Sequence, residues 1–177
     1  MPRRLLMSTL ALATTLAAGC ASADEKTMND LEIAHSAYTA GGLDIRYAHL
    51  ALAISESEAV RDFAATMIRD HSAVNDEAVA LITRLKVTPQ DNDLSRALVA
   101  GAAEKRDELA ALKGKAFDCA YATNELGYHQ VVNQTVEGSF IPNATVPELK
   151  ALLSDALVTF KAHEAHAERM VAALHCG

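Results

Sequence analysis

A chain of 177 residues, half of them apolar, can bury one good hydrophobic core and is too short for two ordinary domains. Sixteen Lys and Arg stand against 23 Asp and Glu, a net charge of −7, so no basic patch offers a contact to nucleic acid or to an anionic membrane face. Aromatic residues make up only 5% and Trp is absent, while Ala is abundant; this favours closely packed helices over a sandwich of Val- and Tyr-rich strands.

Residues 1–23 read as an export signal. Met1-Pro2-Arg3-Arg4 is a positive start, and Leu5 to Gly19 is an apolar run of 15 residues. A membrane span needs roughly 20, whereas a signal peptide needs fewer. Two cleavage sites compete. Leu16-Ala17-Ala18-Gly19-Cys20 resembles a lipobox, with Ala17 where Leu is usual, and would leave a lipidated Cys20 at the new N-terminus. Ala21-Ser22-Ala23 fits ordinary signal peptidase, which would discard Cys20. Either way a domain of residues 24–177 is exported, and membrane contact is expected only through a lipid anchor. Loss of Arg3 and Arg4 deepens its net charge to −9. Cys119 and Cys176 remain, and an oxidising compartment would allow them to pair. Two separate buried thiols are the alternative.

The four prolines lie at 2, 89, 142 and 147, and apolar residues recur at spacings of three and four. A first helix is predicted from about Asp30 to Ile54, weakened at Gly41-Gly42 unless something packs closely there. Ser55-Glu56-Ser57-Glu58 then reads as a capping box, with Ser55 as N-cap. The helix after it runs to about Lys86 on the seam Val60, Ala64, Met67, His71, Val74, Ala78, Leu81 and Leu85. A polar helix occupies about Asp93 to Leu112. Gly114 opens another, ending near Glu137, on the seam Asp118, Ala122, Glu125, His129, Val132 and Val136. Ser139 to Val146 is expected to be loop. Pro147 suits the first turn of the last helix, whose seam is Leu149, Leu153, Ala156, Phe160, His163, Ala167, Met170 and Leu174. Four long amphipathic helices make a four-helix bundle, and the segment between the second and third is long enough to cross its whole length.

Three seams carry a histidine at mid-length: His71, His129 and His163. In a bundle with one long crossover, the Ser55 turn, Gly114 and the C-terminus share an end. Counting from that end puts Asp44, His71, His129 and His163 at similar depths, with Glu125 and Met67 about one turn away. Imidazoles with one or two carboxylates suit Cu, Zn or Fe. A buried polar layer, in which Asp44 and Glu125 hydrogen-bond the histidines, is the competing reading. Glu32 and His35 have an i,i+3 spacing near the start of the first helix, and His49, His166 and His175 read as surface residues. By the same count Cys119 and Cys176 lie about 9 Å apart on straight helices, so a disulfide requires the tail to bend back after Leu174.

Met67-Ile-Arg-Asp70-His71, Phe117-Asp-Cys-Ala-Tyr121 leading to Tyr128-His129-Gln130, Phe140-Ile-Pro-Asn143 and Phe160-Lys-Ala-His163 resemble the domain of unknown function 4142 family of exported bacterial proteins. The resemblance runs from about Asp30 to Leu174. It implies a ferritin-like fold and a periplasmic or outer-membrane-anchored location. It also maps the family's recurring histidines onto His71, His129 and His163, and a recurring first-helix Glu onto Asp44. It implies no activity. The Glu-x-x-His pairs of di-iron proteins are missing, because Ile68, Leu126 and Phe160 stand three residues before the histidines.

No nucleophile elbow, Cys-x-x-Cys, His-Glu-x-x-His or phosphate-binding glycine loop is present, so the sequence does not argue for an enzyme. The expectation is a bundle that holds a metal ion at Asp44, His71, His129 and His163, with Glu125 as a fifth or supporting ligand, for metal handling or envelope stress. A structural or interaction protein of the envelope is the alternative, and a metal-dependent redox enzyme the third reading. Assembly into a homo-oligomer stays open, and no protein partner is named by the sequence.

Overall fold

The structure, a computed structural model, describes residues 27–176. The export signal, Cys20 and both cleavage sites lie outside them. The described residues form helices α1 (Asp30–Ile54), α2 (Glu58–Leu85), α3 (Asp93–Ala110), α4 (Gly114–Thr135), a short α5 (Ile141–Asn143) and α6 (Pro147–Ala173), with no strand among them. The long ones are α1, α2, α4 and α6. Helices α1 and α2 pair across the turn at 55–57, α4 and α6 pair at the other end, and α2 packs on α6 to close the bundle. The crossover α3 runs back along α1 and also touches α4. One long crossover between two antiparallel pairs is the ferritin-like arrangement expected from the seams.

Local chemistry sets the helix ends. Asn29 caps α1: its side chain accepts from the amides of Leu31 and Glu32, and Glu32 reaches back to the Asn29 amide at 2.9 Å. At Gly41, an added Cβ would meet Asn75 Oδ1 of α2 at 2.7 Å, so this glycine permits the close approach its position suggested. Lys86 ends α2 in the left-handed region, φ 55°. Pro147 opens α6, and the Asp30 carboxylate of α1 accepts from the amides of Thr145 and Val146 just before it.

Two local expectations need correction. The capping box at Ser55 does not form: the N-cap of α2 is Ser57, without a side-chain cap bond. Ser55 is the last-turn cap of α1 instead. Its hydroxyl donates to the buried Asp118 carboxylate of α4 and accepts from the Ser57 amide. A buried acceptor on a facing helix therefore outcompeted local capping. The helix also does not stop at Gly138. It continues through a π-helical turn, Val136–Phe140, into α5, which leaves only Ala144–Val146 as loop. Burial of Val136 and Phe140 on one side supports that wide turn.

Two apolar clusters lie within the bundle. Towards the Ser55 end, Tyr47, Phe63, Met67, Phe117 and Tyr121 are fully or almost fully buried. Towards the other end, Ile33, Leu81, Phe140, Leu149 and Leu153 form a smaller cluster. Among the described residues, both clusters and the helix contacts that join them fall within residues 28–174. At the Ser55 end the C-terminal residues turn back after Leu174: His175 adopts φ 51° and the Cys176 amide donates to Val171 O. This turn brings the Cα atoms of Cys119 and Cys176 to 5.3 Å, and their sulfurs are bonded.

Candidate metal centre

Between the two clusters lies a polar layer. Asp44 from α1, His71 from α2, Glu125 and His129 from α4, and His163 from α6 are all buried. The sequence count brought Asp44, His71, His129 and His163 to one depth with Glu125 about one turn away, and the structure brings the five side chains together. The ring centres of His71, His129 and His163 are 5.2 to 5.8 Å apart. One nitrogen from each of the three lies within 4.8 Å of the others, and the same holds for one atom each from Asp44, Glu125 and His129. Met67 sits one turn away in the apolar core.

The partners of each imidazole decide which nitrogen carries a lone pair. His129 Nδ1 lies 2.9 Å from the carbonyl oxygen of Glu125 and donates to it, so Nε2 is the lone-pair nitrogen, 3.4 Å from Asp44 Oδ2. His163 Nε2 donates to Asp70 Oδ2 at 2.9 Å, leaving Nδ1 with the lone pair. Asp70 is itself gripped by both ends of the Arg69 guanidinium, at 2.7 and 3.1 Å. His71 Nε2 stands 2.6 Å from Asp44 Oδ2, off the hydrogen-bond axis, and its ring stacks on Phe160 at 4.7 Å.

Burial pushes the Glu125 carboxyl well above the usual carboxylate range, and the neighbouring Asp44 charge adds to it. Burial works the same way on Asp44, but the adjacent His71 and His129 outweigh it and hold that carboxyl below its ordinary value. Of the two, Asp44 is thus the one that loses its proton first and Glu125 the one that keeps it to higher pH. Burial lowers His129, and lowers His163 to about 4 against the pull of Asp70. Both imidazoles are neutral at pH 7, the form that binds metals. Tyr47 is pushed up to about 12 by burial and the nearby carboxyls, and Tyr121 moves the same way.

Several polar atoms of this layer lack an aligned hydrogen-bond partner: His71 Nδ1, His129 Nε2, His163 Nδ1 and the Tyr121 hydroxyl. Asp44 instead lies against His71 Nε2 at 2.6 Å and beside the Glu125 carboxyl. Buried polar groups are normally satisfied, and each left alone costs about 1–3 kcal/mol. A cation shared by these donors would satisfy several at once.

Sequence reasoning missed Asp70 and Arg69 as parts of the layer. Asp70 lies one residue off the α2 seam, where periodicity assigns it to the surface; only its adjacency to His71 marked it. His166 is half-buried against the Phe63 ring at 5.0 Å instead of lying on the surface, whereas His49 and His175 are exposed. Glu32 is used in the α1 cap, and His35 has no role in the layer.

Fold and layer together define a class: ferritin-like all-α bundles with a buried histidine–carboxylate cluster at mid-length. Comparison with curated proteins and with solved structures returned no match. Residues 15–170 match the family described as domain of unknown function (DUF4142), and the chain belongs to that family.

Proposed function

We propose that this protein binds one transition-metal ion, Cu, Zn or Fe, between His71, His129 and His163, with Asp44 as the anionic ligand. Glu125, next to Asp44, supports the site or joins it on losing its proton. The observation that carries this reading is the cluster of buried imidazole and carboxylate atoms contributed by all four long helices, with a free nitrogen on each of the three histidines. Two of the three imidazoles are already fixed through their other nitrogen, by the Glu125 carbonyl and by Asp70, which is how metal-binding histidines are usually oriented. Tetrahedral ligand nitrogens about 2.1 Å from a metal lie about 3.4 Å apart, so small side-chain shifts close the set.

The role is metal handling in the cell envelope. The export signal supports that location, with Cys20 as a lipid anchor if the lipobox is used, and a Cys119–Cys176 disulfide fits an oxidising compartment. Without a catalytic signature or a di-iron ligand pattern, turnover is not part of this reading.

The 2.6 Å approach of His71 to Asp44 favours a second reading, a buried ion-paired layer that fixes helix register without metal. Melting temperatures separate the two. With metal at about 100 times Kd, binding contributes about 2.7 kcal/mol, a rise of roughly 5–11 °C for a domain of this size. The His71→Leu, His163→Leu double variant should lose that rise entirely. A double variant that melts as high as the parent, from a parent indifferent to Cu, Zn and Fe, would establish the register layer instead.

A further inference from the structure

The α2 seam continues for four turns past His71, through Val74, Ala78, Leu81 and Leu85, as though it faced a filled core. Yet Val74 and Ala78 are only half-buried and Leu85 is 36% exposed. Opposite them the bundle is hollow. A cavity of about 430 Å³ runs between α1, α2, α4 and α6, inside the range of small-molecule sites, about 300–1,000 Å³. It exists because small residues stand where bulky ones would meet: Ala34 and Ala37 on α1, Ala78 on α2 and Ala156 on α6. Its inner end is formed by His71, His129 and Phe160, and no Lys or Arg lines it.

A second observation concerns the opening. Of seven large apolar side chains left exposed among the described residues, Tyr38, Val79, Leu85, Val87 and Val131 line this cavity, while Val99 and Val158 lie elsewhere. Val131 is 60% exposed. An apolar surface therefore continues from solvent to the polar layer. Continuous exposed apolar patches of this kind mark binding surfaces.

We infer that the cavity is a binding site for a single alkyl chain, that of a free fatty acid or of a lipid, inserted tail first with its tip against His71 and His129. A peptide segment would bring an amide and a carbonyl at every residue into a lining with few polar side chains, Asp30, His35, Ser36, Asn75 and Thr135 among them, whereas an alkyl chain has no polar group to satisfy. Without a cation in the lining, a charged head has no partner inside and stays at the opening in water. This inference stands apart from the metal reading: the chain is held by apolar walls, with or without an ion beyond His71.

The test loads the metal-free protein with the uncharged fluorophore N-phenyl-1-naphthylamine and displaces it with alkyl ligands. One saturable site per chain is expected, with each methylene from decyl to tetradecyl tightening binding about fourfold. Palmitate and lysophosphatidylcholine, compared at equal chain length, tell whether the free acid or the lipid is preferred. Ala78→Phe should fill the cavity and weaken uptake at least tenfold at an unchanged melting temperature. If that variant does not fold, the milder Ala34→Leu decides, with a smaller loss. Absence of saturable uptake, or uptake unchanged in the filled variants, would overturn the inference. So would a dimer that excludes the probe and is dissolved by Val131→Asp, since the surface would then belong to a second copy.

Discussion

Asp70 does at the residue scale what the five central side chains cannot do for themselves: it fixes the tautomer of His163, and Arg69 fixes Asp70. Asp70→Asn should therefore leave the fold intact and weaken metal binding about 10- to 100-fold, measured by competition with a chelator of known affinity. The pH dependence of the metal-free domain has opposing parts. His163 is lowered to about 4, so between about pH 6.5 and 4 the unfolded chain takes up a proton that the folded one refuses, and stability falls with falling pH. Glu125 is raised, so its contribution is present at low pH and fades as the pH rises through its elevated value. Glu125→Gln removes the second part. In that variant, urea unfolding should show lower stability at pH 5 than at pH 7. Equal stability at the two values would mean that His163 is not held neutral. His71, Glu125, His129 and His163 were legible because each stands on a seam with a period near 3.5, and Asp44 because counting from the Ser55 turn puts it at their depth. Asp70 and Arg69 were not, because their role depends on which side of α2 faces α6, and periodicity does not contain that.

At the scale of elements, helix extents followed from spacing and from Pro and Gly, while the connections depended on tertiary partners. Gly41 and Gly42 show the difference within one helix. A Cβ at Gly42 meets nothing within 4 Å, so Gly42→Ala should stabilise the domain by about 0.5–1 kcal/mol. At Gly41 the same change forces Asn75 aside, and part or all of that gain is lost. Chemical denaturation of the two variants side by side checks the contrast; equal gains would mean that the α1–α2 contact is looser than described. Ser55 illustrates why the turn was misread. Four consecutive residues match a capping box, but the hydroxyl is used 63 residues away by Asp118. Ser55→Ala leaves that buried carboxylate short of a donor and should cost about 1–3 kcal/mol, more than loss of a surface cap. The π-helical turn at Val136–Phe140 was illegible for a similar reason: Gly138 and Pro142 signal a break, and burial of Phe140 overrides it.

On the scale of the whole molecule, the bundle divides into a filled half, the polar layer and a hollow half. Depth counting found the layer because long straight helices preserve register over tens of residues. The hollow half could not be read from the chain, since a seam looks the same whether its neighbours are large or small. The disulfide ties the filled end, closing a segment with a sequence separation of 57. In the chain-entropy treatment such a loop contributes about 4 kcal/mol, so Cys119→Ser should lower stability by about 2–4 kcal/mol in denaturant titrations while leaving the layer in place. Metal affinity that fell together with this stability would show that the end and the layer are coupled. The central claim, that the layer is a metal site, is tested most directly by calorimetric titration of the untagged, metal-free domain with Cu, Zn and Fe. The account predicts saturation at one ion per chain for at least one of them, with protons released on binding and no heat of binding in the His71→Leu, His163→Leu variant. Silence with all three metals, or binding that survives in the variant, would contradict it.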